Sequence, residues 1–149
     1  MKLAIKLAVV AAVAAFGVAY AAGDPIKVRK ALMQATGAAA GLAGGMMRGK
    51  MEYNADAGKS AIATLRAAAH AHGSFYPEGS LTGDTTASPR IAEDAEGWNK
   101  TMAKFIADAD AAAAASGRDG PADLDAFKAA VGPVLANCKA CHEAYRVKN

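Results

Sequence analysis

Aromatic residues make up only 6 % of the 149-residue chain, and no run alternates apolar with polar residues. A β-sandwich would want aromatic and β-branched residues in such alternation, so that class is excluded. The length allows one domain and is too short for a large α/β enzyme architecture. No run of basic residues stands out among 17 Lys and Arg against 14 Asp and Glu, and nucleic acid is not an expected partner. The longest uninterrupted apolar run, Leu7 to Val18, falls short of the roughly 20 residues that a membrane span needs. What the chain has in excess is alanine, the residue with the best helix propensity.

That apolar run follows Lys2 and Lys6, and Ala19-Tyr20-Ala21 supplies a small-residue cleavage pattern after it. Residues 1–21 therefore read as a secretory signal peptide, cut between Ala21 and Ala22. Loss of Lys2 and Lys6 lowers the formal charge from +3 to +1. The expected mature product is residues 22–149, exported, without a membrane span, and periplasmic in a bacterial cell.

Four amphipathic segments follow. The first opens at Asp24-Pro25, an N-cap followed by a favourable first helical residue. Ile26, Met33, Ala40 and Met47 recur at heptad spacing, widened by Leu32 and Ala43, to about Gly49. Gly37, Gly41, Gly44 and Gly45 weaken this helix, and close approach of another helix or a bulky group would explain them. The second segment starts near Asn54 or Asp56, carries Ile62, Leu65 and Ala69, and ends near Gly73. Phe75 to Ser88 reads as a loop. The third begins around Pro89 and carries Ile91, Ala95, Trp98, Met102, Phe105, Ala109 and Ala112 on one face. After the stop signal Gly117–Gly120, the fourth starts at 121–123 with the stripe Leu124, Phe127, Val131, Leu135, Cys138, Cys141 or His142, and Tyr145. Pro133 inside it is a candidate kink. Four helices with short connections predict an all-α, antiparallel four-helix bundle.

The chemistry lies in Cys138-Lys139-Ala140-Cys141-His142, the C-x-x-C-H pattern of c-type haem attachment. Thiols three residues apart lie on one helical face about one turn apart, so each can add to a vinyl group of one haem. His142, four residues after Cys138, shares that face and can reach the iron as proximal ligand. Because the cysteines lie on the apolar stripe, the haem is expected inside the bundle near the last helix. Any sixth ligand must come from upstream. A structural zinc site would want about four ligands. A thioredoxin-like pair would want a βαβ context. A disulfide is open to an exported protein but has poor geometry inside a helix and leaves His142 unexplained.

With this motif near the end of a four-helix chain, the sequence resembles the class II c-type cytochromes, the cytochrome c′ family. Residues 138–146 look very like that family's C-terminal motif. Val28-Arg29-Lys30-Ala31-Leu32-Met33 resembles its first-helix motif, and 75–80 and 87–91 its middle loop. Ala92 stands where members often have Trp.

The resemblance implies one covalent haem c and single-electron transfer with periplasmic redox partner proteins; no acid/base pair or substrate pocket shows in the sequence, so an enzyme is not expected. It implies Met33, four residues after Arg29, as the position of a sixth ligand in the low-spin branch. In the other branch the iron is five-coordinate and binds nitric oxide or carbon monoxide. It also gives Arg29 a role at a haem propionate in place of a solvated helix position, and Arg146 the role of a basic residue near the proximal ligand. Pairing through the first two helices is implied as a homodimer. Trp98 and Tyr145 are expected around the haem, Lys139 at its exposed edge facing an acidic partner, and His70 and His72 as polar helix-end residues.

Overall fold

The computed structural model describes residues 23–147, so the expected leader at 1–21 lies outside it. Four long helices dominate: α1 (Pro25–Met47), α2 (Ala55–His72), α4 (Ala95–Ser116) and α5 (Leu124–Tyr145). A single turn, α3 (Arg90–Glu93), precedes α4, and a 3₁₀ turn (Gly73–Phe75) follows α2. Each long helix starts on a short acidic or amide side chain that accepts an orphan backbone N–H. Asp24 accepts from Ile26 at 2.9 Å, Asn54 from Ala57 at 2.9 Å, Asp94 from Gly97 at 3.1 Å and Asp123 from Ala126 at 2.8 Å. Such caps contribute about 1 kcal/mol each.

α1 packs on α2, α2 on α4, α4 on α5, and α5 returns to α1, which closes the antiparallel bundle. One end is filled by Ala39, Ala43, Met46, Ile62, Leu65, Phe127, Val131 and Val134. The many alanines let the helices approach closely around Phe127, which is fully buried. A second cluster of Ile91, Trp98, Met102 and Tyr145 lies toward the C-terminal end of α5. Among the described residues no helix is long and apolar enough to cross a membrane.

Several local expectations need correction. The buried seam of α1 is not the Ile26–Met33–Ala40–Met47 stripe, whose members are only half-buried. It runs through Arg29, Thr36, Ala39, Ala43, Gly44, Gly45 and Met46. Its first two members are polar, which hid the seam. The third segment is two helices, because Asp94 leaves helical geometry (φ −123°, ψ 59°) to cap α4. Within the chain no close approach accounts for Gly37 and Gly41: among the described residues a Cβ on either would meet nothing within 4 Å. Gly44 and Gly45 face only the flexible ends of Arg48 and Met51. The close approach occurs at Gly58, where a Cβ would lie 3.1 Å from Phe127. α5 continues through Pro133.

The segment between the 3₁₀ turn and α3 is tied down from both sides. Thr86 and Ser88 pair with the chain at the end of α5, through Val147 N–H to Thr86 O and Ser88 N–H to Tyr145 O, both at 2.9 Å. From α1, Arg29 reaches into the same loop.

Candidate haem site

Cys138, Cys141 and His142 come from the last two turns of α5 and open onto one cleft. Its other walls are Met33 and Thr36 of α1, His72 of α2, and Thr101, Met102 and Phe105 of α4, with Asn137 beside the motif. A second hollow shares Met33, His72, Cys141 and His142. It adds Tyr76, Trp98, Tyr145 and Arg146, among others. The hollows hold about 430 and 380 Å³ of space between atoms, solvent at their mouths included. They form a largely apolar slot with Met33 and His142 on its walls.

The thiols are not joined to each other. Burial pushes both up from the ordinary thiol range, and Cys138 adds to that effect on Cys141. Partial burial and then Arg146 hold His142 below the ordinary histidine value, which favours a neutral imidazole with a free lone pair. Asn137 is buried and donates to Asp108 at 2.7 Å and to the Pro133 carbonyl at 3.0 Å. These bonds fix the turn of α5 just ahead of Cys138.

Trp98 and Tyr145 stand in the second hollow's wall, as expected, in edge-to-face contact at 5.3 Å between centroids. Tyr76 extends the contact at 4.7 Å from Trp98. Tyr145 donates to Asp94 at 3.0 Å, so the cap of α4 also orients this wall.

Arg29 is not a solvated helix residue: it is 4 % exposed. It donates to Phe75 O at 2.7 Å, Ser80 Oγ at 2.8 Å, Ser80 O at 2.6 Å and Thr85 Oγ1 at 3.2 Å. Its guanidinium lies 4.7 Å over the Tyr76 ring. Neither hollow has Arg29 in its wall. Arg146 is exposed just past α5 and lines the second hollow.

His70 and His72 do not behave alike. His70 is exposed and pairs with Asp110 at 2.9 Å. His72 is 5 % exposed, faces both hollows, and is bonded to Tyr76 Oη at 2.6 Å. Burial, then Arg29 and His142, push it down to about 4, so it is neutral at pH 7. The signal for it was present: Ile62, Leu65, Ala69 and His72 continue one stripe at spacings of three and four. Thr101, Phe105 and Asn137 were also missed as wall residues; only Phe105 had been read as apolar-face.

The donor set fits a covalent haem. Two unjoined thiols one turn apart and an imidazole open on a largely apolar slot, beside a buried histidine nitrogen that has no partner among the described residues. Among the described residues no group of three or more His, Cys, Asp or Glu side chains is placed to hold a bare metal ion. A tetrapyrrole brings its own four nitrogens and needs only axial ligands from the chain.

A covalent-haem motif on the last helix of an antiparallel four-helix bundle, open to an apolar slot, defines a four-helix c-type cytochrome. The sequence matches the Cytochrome C' family over residues 24–146, and the chain belongs to that family of haem electron-carrying proteins, with haem c bound covalently. Cytochrome c-556 of Agrobacterium tumefaciens (strain II Chrys) is 34 % identical over 123 residues, 83 % of this chain and 97 % of the relative. Cytochrome c' of Rhodopseudomonas palustris is 32 % identical over 149 residues, 99 % of each chain. Its solved structure superposes with a TM-score of 0.76 over 86 % of this chain and 99 % of its own, at 31 % identity. A ferrous variant of cytochrome c prime from Alcaligenes xylosoxidans, solved with bound NO, superposes at 0.73 over 85 % of this chain and 95 % of its own, at 28 % identity.

Proposed function

We propose that this chain is an exported, periplasmic carrier of single electrons, with Cys138 and Cys141 as the thioether attachments, His142 as proximal ligand and Met33 as sixth ligand. The observation that supports Met33 is its position: it lines both hollows that His142 lines, from α1, the helix that packs beside α5 to close the bundle. It is half-buried, whereas a gap-filling methionine such as Met46 is 1 % exposed. The haem, when bound, supplies a ferric–ferrous couple, and a soft thioether ligand raises its potential. The chain's own part is to hold the ligands and keep water out. Burial of the slot among Met102, Phe105 and Trp98 lowers the local dielectric. The Arg29 clamp holds the 75–85 loop across one side. Lys139, exposed on α5, suits an acidic redox partner. Residues 1–21 would direct export and be removed.

The second reading is a five-coordinate haem that binds nitric oxide or carbon monoxide. The apolar walls supplied by Met33, Met102 and Phe105 are what a small neutral gas would need, and one relative is solved with NO. Ferrous spectra with and without carbon monoxide at neutral pH separate the two. The carrier gives a low-spin spectrum that resists carbon monoxide and is lost in Met33→Ala. Immediate stoichiometric binding to a high-spin resting form rejects Met33 as ligand.

A further inference from the structure

His72 Nδ1 is buried and has no hydrogen-bond partner among the described residues. A buried polar atom left unpaired costs about 1–3 kcal/mol, so its persistence in a packed site needs a reason. The other nitrogen decides which atom carries the ring hydrogen. Tyr76 Oη lies 2.6 Å from Nε2, and burial holds the phenol above its ordinary pKa, so the hydroxyl stays protonated. Donation to Nε2 is the arrangement that gives the phenol hydrogen an acceptor. The neutral imidazole then carries its hydrogen on Nδ1. His72 is thus a fixed donor beside the slot, without an acceptor among the described residues.

A haem offers one class of charged acceptor, the carboxylates of its propionate side chains. The surroundings of His72 suit an anion: the Arg29 guanidinium lies over the Tyr76 ring, and Arg146 lines the second hollow. Arg29 itself has little left to give. Its four terminal N–H groups are taken by Phe75 O, Ser80 Oγ, Ser80 O and Thr85 Oγ1.

We propose that His72 is a haem-binding residue whose Nδ1–H donates to a propionate carboxylate, held in that orientation by Tyr76. This rests on haem attachment at Cys138 and Cys141 but not on Met33 as sixth ligand. The carbon monoxide spectra decide Met33 separately.

The test uses the haem-loaded, full mature chain. His72→Leu removes the donor, and His72→Asn returns an amide N–H near the Nδ1 position. Two quantities are read: the resonance Raman propionate bending band and the reduction potential. In the leucine variant the band shifts. The potential falls by the equivalent of a three- to tenfold change in the ferric–ferrous ratio, at most about 59 mV for one electron, because an undamped carboxylate favours the ferric ion. The asparagine variant restores the band. An unchanged band in a folded, haem-loaded leucine variant overturns the proposal. So does an unchanged band with altered carbon monoxide affinity, which would assign the donor to the iron's open side. If the leucine variant does not assemble, nitrogen-15 NMR of histidine-labelled wild-type protein carries the test. It is run on the ferrous form under carbon monoxide, which is diamagnetic with either sixth ligand. A hydrogen on His72 Nδ1, slow to exchange, supports the proposal, and a hydrogen on Nε2 overturns it.

Discussion

Replacing Arg29 by methionine should unlock the 75–85 loop without emptying the core. The variant keeps most of the aliphatic stem and loses the guanidinium. Arg29 makes four hydrogen bonds, two of them to Ser80 in fully buried surroundings and two to the half-buried Phe75 and Thr85. Bonds from a charged donor are worth about 1.5–3 kcal/mol each. Phe75 O and Thr85 Oγ1 can turn to water, so only the two Ser80 bonds are counted in full. The cost of burying the guanidinium disappears with it and offsets part of the loss. A net loss of about 3 kcal/mol remains. At roughly 3–4 °C per kcal/mol for a domain of this size, the melting temperature should fall by about 10 °C. Circular dichroism on the haem-loaded protein measures the fall. Amide hydrogen exchange measures its location, with faster exchange at Ser80, whose N–H now bonds to Pro77 O at 3.1 Å. Arg29→Lys should lose most of the same stability, because an ammonium cannot span four acceptors in two directions. A fall below about 3 °C, with exchange at Ser80 unchanged, refutes the clamp.

The glycines separate into two kinds. Gly37→Ala and Gly41→Ala enter open space and should each raise stability by about 0.5–1 kcal/mol through helix propensity. Gly58→Ala brings a Cβ to 3.1 Å from Phe127 and 3.2 Å from Tyr53, and should lower stability by about 1 kcal/mol or more despite better propensity. Thermal melts check both, and a stabilising Gly58→Ala contradicts the packing account. In Gly97→Ala the new Cβ would sit 2.6 Å from Tyr145 Oη and 2.5 Å from Asp94 Oδ2. The Tyr145–Asp94 bond should break, with altered tyrosine fluorescence and a lower melting temperature; unchanged values count against that bond as a structural element. Asp108 is held below its ordinary carboxylate value of 3.8 by Lys104 and then by Asn137. The native state therefore binds fewer protons than the unfolded chain as pH falls through that region. The stability Asp108 contributes is present above about pH 4 and is lost as pH falls through its depressed value. Asp108→Asn should flatten the acid limb of stability below pH 4, and an unchanged slope refutes the linkage.

The four long helices, the caps that open three of them and the attachment motif were legible because local chemistry determines them. Asp24-Pro25, Asn54 and Asp123 cap the helices they head, and the C-x-x-C-H spacing puts its three side chains on one face whatever the rest of the chain does. Asp94 was missed because the apolar spacing runs straight across it: Ile91, Ala95 and Trp98 keep steps of four and three through the break, which only the Asp94 cap on the Gly97 N–H marks.

The misread seam of α1 bears on function. The apolar heptad predicts one buried centre, yet positions 29, 36 and 43 occupy it and the first two are polar. Arg29 tolerates burial because loop carbonyls and hydroxyls receive its hydrogens, and Thr36 because its hydroxyl donates to Leu32 O at 2.7 Å. Toward Met46 the same seam is apolar and sealed. Toward Arg29 it is polar, and its Thr36 lines the slot. Local rules break at the end where a cofactor must be accommodated, and hold at the end that only has to pack. Met33 sits one turn after Arg29 on the flank of that seam, half-buried and facing both hollows. A residue selected to fill the core would lie on the seam itself, as Met46 does. A residue on the flank, where the wall gives way to the slot, is free to meet what enters it.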